Sequence, residues 1–91
     1  MRLDKYLKTA RILKRREAAK DLALQGRVLV NGRKAKPSTE VEVGDEILLQ
    51  FGNRSLLVKI LDIQKQVSKA NASLLFEVLK EEKIQSGEDY S

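Results

Sequence analysis

Apolar residues recur at helical spacing in two short stretches near the start of the chain. The first stretch contains Leu3, Tyr6, Leu7 and Ala10. The second stretch, in a different phase, contains Ala18, Ala19, Leu22 and Ala23. The first phase cannot continue into the second, because it would bury Lys14 and Asp21, and Gly26 is well suited to end the second stretch. The pattern predicts two short helices separated by a break near residues 12–15.

The segment after Gly26 predicts a β-hairpin. Val28–Val30 precedes an Asn31-Gly32 pair. Both central residues of a type I′ turn need a positive φ, and Asn and Gly adopt it most readily, so the chain should fold back after Val30.

Apolar and polar residues alternate beyond Pro37 and predict further strands. The alternating apolar positions are Val41, Val43, Ile47 and Leu49. Gly44-Asp45 predicts a turn between two strands, and Gly52-Asn53 predicts a second turn. Residues 55–63, SLLVKILDI, predict another strand.

The end of the chain is less regular. Residues 64–73 are polar and predict a loop. In residues 74–83, LLFEVLKEEK, the apolar positions fit either a helix or a strand, and we favour a short C-terminal helix. The chain as a whole predicts an α+β fold, with two short N-terminal helices packed on a small, mainly antiparallel sheet. Residues 1–83 should form a single domain, and residues 84–91 a flexible acidic tail.

Basic residues are concentrated in one part of the chain. The 91 residues carry a net charge of +5, but residues 1–36 hold twelve Lys and Arg against three acids, whereas residues 37–91 hold six against ten. Six of the seven Arg lie in the first 33 residues. This concentration is typical of a surface that binds a polyanion, because Arg grips phosphate through two parallel hydrogen bonds. The alternative is a solvated basic face.

The composition argues against catalysis and against a membrane. There is no Cys and no His, no Gly-rich phosphate loop, and no pair of carboxylates at a recognisable spacing. We therefore predict no enzyme activity, no cofactor and no metal site. No apolar run approaches the ~20 residues of a membrane span, and the start, MRLDK, lacks the order of a signal peptide. We expect a soluble, cytoplasmic protein.

The segment KRRE, residues 14–17, lies where the second helix should begin. A helix N-terminus carries free N–H groups and a partial positive charge, so Ser, Thr, Asp or Asn is favoured there. An exposed cation at this place costs about 0.3–1 kcal/mol. The cost disappears if a phosphate binds between the cations and the N–H groups. We predict a phosphate site here; the alternative is a frayed helix start.

Two stretches of the chain resemble a known RNA-binding module. MRLDKYL, residues 1–7, and RREAAKDLALQGRVLVNGRKAKPSTEVEVGDEI, residues 15–47, are similar to the RNA-binding domain of ribosomal small-subunit protein four. The similarity covers roughly residues 2–49. This family commonly has a Ser where Arg15 stands, so a helix cap is replaced by a cation. The resemblance implies binding of structured ribosomal or transfer RNA through the helix pair and the hairpin.

The resemblance also assigns roles to individual residues. Arg2 and Arg16 match arginines of the family's motif and are expected to contact phosphate, whereas Asp4 should hold the cations of the first helix. Asn31 and Gly32 should shape the hairpin, and Lys36 should occupy its basic exit. Charge and placement add further residues, and the complete predicted RNA-binding set is Arg2, Lys5, Arg11, Lys14, Arg15, Arg16, Arg27, Asn31, Arg33, Lys34 and Lys36.

The short chain and its LKEEK segment, residues 79–83, resemble the small stand-alone members of this family, which act on the large ribosomal subunit. The resemblance therefore implies a non-enzymatic factor that binds ribosomal RNA and tRNA there in ribosome-associated quality control. Its expected task is to stabilise the P-site peptidyl-tRNA on an obstructed large subunit while a C-terminal tail is added to the stalled chain. A tailing factor is an expected partner, and the chain should be a monomer off the ribosome.

Three alternatives stay open. One is a general RNA-binding factor in ribosome assembly or in ribosome recycling after heat shock. Another is a DNA-binding regulator, since two helices and a break also describe a helix-turn-helix. The second helix, however, offers mostly Ala, Leu, Lys and Asp after its first turn, and few groups that read base edges. The third is a module that docks its basic face on an acidic protein.

Overall fold

The computed structural model describes residues 1–64 and 71–83, with Arg16 and Ser73 described by their backbone alone. Two helices and five strands form within these residues. The helices are α1 (Leu3–Thr9) and α2 (Arg16–Leu24), and the strands are β1 (Val28–Val30), β2 (Arg33–Lys34), β3 (Glu46–Gln50), β4 (Arg54–Ile60) and β5 (Phe76–Lys83). The strands form one antiparallel sheet in the order β2-β1-β3-β4-β5. The predicted α+β class is confirmed.

A single apolar core joins both helices to one face of the sheet. Buried side chains of α1 and α2 pack with inward residues of β1, β3 and β4. In β3, Ile47 and Leu49 are fully buried whereas Leu48 between them is only half-buried, as the alternation of a strand requires. The sheet thus has one face against the helices and one toward solvent.

Tyr6 of α1 ties the helix pair to the far end of the chain. Its side chain is fully buried, and its hydroxyl donates to the carbonyl oxygen of Leu75 at 2.7 Å. Burial raises the pKa of the Tyr6 phenol well above its ordinary value, and the nearby Asp62 carboxylate adds to the effect. The phenol is therefore neutral at physiological pH and acts as a hydrogen-bond donor within the core.

Both helices end in the same backbone motif. In this Schellman motif two N–H groups bond back into the last turn, and the residue just past the helix adopts a left-handed conformation. Gly26 adopts it after α2, with φ +74°, and Arg11 adopts it after α1, with φ +58°. The four N–H donors and their carbonyl acceptors are Arg11 to Lys8 at 2.9 Å, Ile12 to Leu7 at 3.0 Å, Gly26 to Ala23 at 3.0 Å and Arg27 to Leu22 at 3.1 Å. Arg11 is the unusual case, because a side chain in this conformation costs roughly 1–2 kcal/mol.

The predicted hairpin is confirmed, and its turn residue has a second role. Asn31 and Gly32 have φ +52° and +83°, and β1 pairs with β2 across them. The Asn31 amide donates through Nδ2 to Asp45 Oδ1 at 3.1 Å, and its Oδ1 accepts from the Glu46 N–H at 3.0 Å. Asn31 therefore fastens the hairpin to the Gly44-Asp45 turn that precedes β3.

The strand predicted around Val41 and Val43 is wrong. Val41 is buried, but Val43 is 59% exposed, and the segment makes only an isolated bridge between Glu40 and Arg2. The backbone here pairs with the start of the chain and not with a strand, since the Val41 N–H bonds to the Met1 carbonyl at 2.9 Å. The two predicted turns hold: Gly44-Asp45 leads into β3, and Gly52-Asn53 links β3 to β4.

The short C-terminal helix predicted for residues 74–83 is also wrong. Ala72–Leu75 forms one 3₁₀ turn, and the chain continues as β5. The register of β5 against β4 shifts by one residue, so that Leu79 is the additional residue of a β-bulge. The bulge interrupts the alternation of apolar residues, which is why their spacing resembled that of a helix.

The remaining predictions for the C-terminal part have mixed outcomes. The strand predicted for residues 55–63 forms but ends at Ile60. Gln64 lies outside regular elements, as the predicted loop requires, whereas Ala72 and Ser73 belong to the 3₁₀ turn. The rest of the predicted 64–73 loop and the predicted acidic tail, 84–91, lie outside the described residues.

Candidate nucleic-acid interface

The loop that follows β2 accepts hydrogen bonds from the first turn of α1. The N–H groups of Leu3 and Asp4 donate to the carbonyl oxygens of Thr39 and Pro37, at 2.8 and 3.1 Å. The loop is itself a tight turn, because the Lys36 N–H donates to Thr39 Oγ1 at 2.8 Å and the Thr39 N–H donates to the Lys36 carbonyl at 3.0 Å. These bonds satisfy helix donors that would otherwise lack acceptors. They also fix Lys36 beside the start of α1.

Asp4 holds Arg2 in place at the same end of α1. Asp4 is 2% exposed, and its carboxylate accepts hydrogen bonds from Arg2 Nη2 at 3.3 Å and from the Lys5 N–H at 2.8 Å. The Arg2 side chain is 50% exposed. A guanidinium has five N–H donors in a fixed plane, so one contact to Asp4 orients Arg2 and leaves other donors for a ligand. The expected role of Asp4 as a partner of cations agrees with this contact.

A groove of about 490 Å³ lies between α2 and the turn after β2. Its lining residues are Arg2, Lys20, Ala23, Leu24, Lys36, Pro37 and Ser38. Three of these residues are cations from three separate segments, and none is an acid. Lys20 and Lys36 are exposed and form no ion pair with any residue that the structure describes. Two of the three groove cations therefore lack an ionic partner among the described residues, and the groove is a positive concavity suited to an anion.

A second group of predicted residues lies at the start of α2. Arg15 occupies the N-cap position in extended conformation, and no side chain caps the helix through a hydrogen bond. Lys14 and Arg15 are exposed, Arg11 is exposed in the preceding loop, and Arg16 is the first helical residue. The predicted replacement of a helix cap by a cation is thus present at the position where the helix begins.

The hairpin cations lie at the other end of α2. Arg27 follows the helix directly, and Arg33 and Lys34 form β2; all three are exposed. A helix of nine residues is about 13 Å long, so this group and the one at the start of α2 are separated by the length of the helix. Lys20 and the groove lie between them. The structure brings Arg2 and Lys36 together in the groove, whereas the other predicted cations lie in α1, at the start of α2 or in the segment from the end of α2 to β2.

Three predicted residues have contacts within the fold. Lys34 passes over the end of α2, because its Cδ, Cε and Nζ atoms would lie 3.7 Å from a Cβ atom at Gly26, and a cation is favoured at a helix C-terminus. The Asn31 amide is engaged with Asp45 and with the backbone of β3. Lys5 is half-buried on α1. Contact of these three residues with RNA stays a prediction.

The sequence prediction missed Lys20. This residue lies in the middle of α2, one helical turn after Arg16, and it faces the groove because the turn carrying Lys36 packs beside α2. The helical spacing of four residues between Arg16 and Lys20 was the available signal. The packing of the turn against α2 is a tertiary contact that the spacing does not reveal.

Comparison with known proteins identifies the module that carries these cations. Residues 1–47, more than half of the chain, match the model of the S4 domain. The chain belongs to the S4 domain family. The resemblance noted in the sequence is thereby confirmed, and the matched residues include both helices, the hairpin and the turn that carries Lys36.

Similar proteins extend beyond the S4 domain to nearly the whole chain. The chain is 48% identical over 88 residues to the "RQC P-site tRNA stabilizing factor" of Halalkalibacterium halodurans, covering 97% of this chain and 100% of that protein. It is 46% identical over 85 residues to the protein of the same name from Streptococcus pneumoniae, covering 93% and 97%. Its structure is similar to that of heat shock protein 15 from Vibrio cholerae, described as trimeric, with a TM-score of 0.79 and 37% identity over 86% of this chain and 80% of that one.

The described residues contain neither a membrane-spanning helix nor a metal-binding cluster. Within residues 1–64 and 71–83, no helix is long and apolar enough to span a membrane. The same residues contain no group of three or more His, Cys, Asp or Glu arranged to hold a metal ion.

Proposed function

We propose that this protein is an RNA-binding factor of the large ribosomal subunit that contacts ribosomal RNA and the P-site tRNA without catalysing a reaction. The observation that carries the proposal is the groove in which Arg2, Lys20 and Lys36 converge without an acid among its lining residues. Further exposed cations lie at both ends of α2. Phosphate contacts of this kind supply most of the affinity in nucleic-acid binding.

The similarity to two proteins named RQC P-site tRNA stabilizing factor, at nearly full length, supports a role in ribosome-associated quality control. In this role the chain holds the peptidyl-tRNA in the P site of an obstructed large subunit while a tail is added to the C-terminus of the stalled chain. A tailing factor is then its protein partner. It acts in the cytoplasm, where the ribosomes are, and is a monomer off the ribosome.

A second candidate is a role in ribosome assembly or in recycling after heat shock. The similarity in fold to heat shock protein 15 favours it. It ranks second because the identity is lower, 37% against 48%, and less of the chain is covered.

The proposal is tested by isolating the particles that bind the tagged chain in cells. We expect free large subunits to be enriched over small subunits and complete ribosomes, with tRNA attached to the large subunits. The Lys20→Glu, Lys36→Glu double variant serves as the control and should recover neither. Large subunits without tRNA would favour the second candidate, and the absence of ribosomal particles would contradict both. In a parallel competition, structured RNA should displace bound RNA better than duplex DNA or an acidic protein.

A further inference from the structure

The groove contains an apolar wall that phosphate binding does not explain. Leu24, the last residue of α2, lines the groove and is 65% exposed, whereas Ala23 and Pro37, which also line it, are buried. A phosphate is bound by cations and N–H donors, and it gains nothing from a leucine side chain. The groove therefore combines two chemistries, a set of cations and an exposed aliphatic surface.

We propose that the groove holds a single unpaired nucleotide, with its base against Leu24 and its phosphate among Arg2, Lys20 and Lys36. This inference rests on the proposed function and specifies the kind of RNA that the groove takes. A paired base is stacked on both faces, so a duplex offers the groove only its backbone. An unpaired nucleotide presents an apolar base face and a phosphate within a few ångströms of each other, which is the combination that the groove provides.

The size and the polar lining of the groove fit the same occupant. About 490 Å³ lies within the range of roughly 300–1,000 Å³ for small-ligand sites in proteins and accommodates one nucleotide. Ser38 also lines the groove, and its hydroxyl both donates and accepts hydrogen bonds, as recognition of a base edge or a ribose 2′-hydroxyl requires. Because no acid lines the groove, its charge is complementary to a nucleotide phosphate.

The test uses three synthetic RNA hairpins of the same stem: one with a single bulged uridine, one with an abasic ribose in place of that uridine, and one fully paired. The abasic hairpin keeps the phosphate and lacks only the base. Affinities are measured at one salt concentration for the wild-type chain and for Leu24→Ser. Leu74→Ser is the matched control, because Leu74 is 66% exposed and does not line the groove.

The wild-type chain and Leu74→Ser should bind the bulged hairpin about fivefold more tightly than the abasic or paired hairpin, the effect of some tens of square ångströms of apolar contact. Leu24→Ser should lose this preference and bind all three hairpins alike, with its thermal stability nearly unchanged.

The possible results separate this inference from the proposed function. If the wild-type chain binds all three hairpins with equal affinity, the inference is wrong while RNA binding stands. If it binds none of them at low salt, both are wrong. If polyglutamate displaces the bulged hairpin as well as an equal charge of RNA does, and Leu24→Ser weakens binding of polyglutamate, the groove is a protein-docking site and the inference is overturned.

Discussion

The helix side of the molecule and the β4–β5 ribbon both carry many charged residues, but they use them differently. In the ribbon, Arg54 lies 3.4 Å from Glu81 and 5.0 Å from the centre of the Phe51 ring, and Lys80 lies 3.5 Å from Glu82. Cations and acids thus compensate each other there. In the groove, Lys20 and Lys36 have no ionic partner among the described residues.

This difference separates two uses of the same residue types. Exposed ion pairs contribute little to stability, and charged side chains on an edge strand such as β5 prevent its pairing with other chains. Unpaired cations in a groove repel one another until an anion binds, an arrangement typical of a site for an anionic ligand. If stability resides in the core shared by helices and sheet and binding resides in the groove cations, as we propose, substitutions should separate the two.

The largest expected effect is on the core. Leu49 of β3 is fully buried, so Leu49→Ala removes apolar contacts and leaves a cavity; we expect the free energy of unfolding to fall by about 3 kcal/mol. Urea denaturation measures the loss. The affinity of the remaining folded molecules for RNA should stay within about twofold of the wild-type value, since Leu49 does not line the groove. A large loss of affinity per folded molecule would show that core and groove are not separable.

Charge reversal in the groove should lower RNA affinity and leave stability nearly unchanged. Lys20→Glu with Lys36→Glu removes two phosphate contacts and adds repulsion, and we expect RNA affinity to fall about a hundredfold at low salt. The melting temperature should change little, because neither lysine has an ionic partner among the described residues. Lys80→Glu with Lys83→Glu in β5 changes the net charge equally and is the matched control, with an expected loss of less than about threefold. Equal losses in both variants would mean that net charge, and not the groove, governs binding.

The Tyr6 hydroxyl should matter for stability alone. Tyr6→Phe removes its hydrogen bond to Leu75, which we expect to cost about 1 kcal/mol. The raised pKa of Tyr6 adds a pH dependence: the neutral phenol stabilises the fold fully below the ordinary Tyr pKa of 10.0, and this contribution is lost as pH rises toward the folded-state pKa. The difference in stability between wild type and Tyr6→Phe should therefore shrink above pH 10 in parallel denaturation curves. A difference that grows with pH would contradict the buried neutral phenol.

The smallest effect concerns the two helix ends. Arg11→Gly relieves a left-handed conformation worth roughly 1–2 kcal/mol but adds the flexibility of Gly, worth roughly 0.5–1 kcal/mol. We expect a net gain in stability of about 0.5 kcal/mol together with weaker RNA binding, because an exposed cation near the start of α2 is lost. Gly26→Ala at the end of α2 should instead destabilise the fold by about 1 kcal/mol. Stronger RNA binding by Arg11→Gly would show that Arg11 does not contact RNA.

Local chemistry made the N-terminal half of the fold predictable. The apolar stripe of α1, the Asn31-Gly32 turn and the end of α2 at Gly26 each depend on a few neighbouring residues, and each was read correctly from the sequence. In β5 a bulge at Leu79 replaces the apolar spacing of a strand with one that resembles a helix, and the strand forms by pairing with β4. Sequence spacing does not contain that pairing.

The residues of the candidate site were also predictable only in part. Arg2 and Lys36 were found because they belong to a recognisable motif, and both line the groove. Lys20 and Leu24 line the groove because the turn at Pro37 packs against α2, and the sequence does not reveal this tertiary contact. Asn31 is predicted as a turn residue and Lys34 as a hairpin cation, but their contacts to Asp45 and to the end of α2 arise from the folding of distant segments.

The central claim is that the groove cations contact a nucleotide backbone, and the salt dependence of RNA binding measures it most directly. If about five phosphates are neutralised, the logarithm of the affinity of the wild-type chain should fall against the logarithm of salt concentration with a slope of roughly −3 to −5. Lys20→Ala with Lys36→Ala should make the slope less steep by about 1.5–2, one counterion contact for each lysine. A slope near zero for the wild-type chain, or an identical slope for the double variant, would contradict the claim.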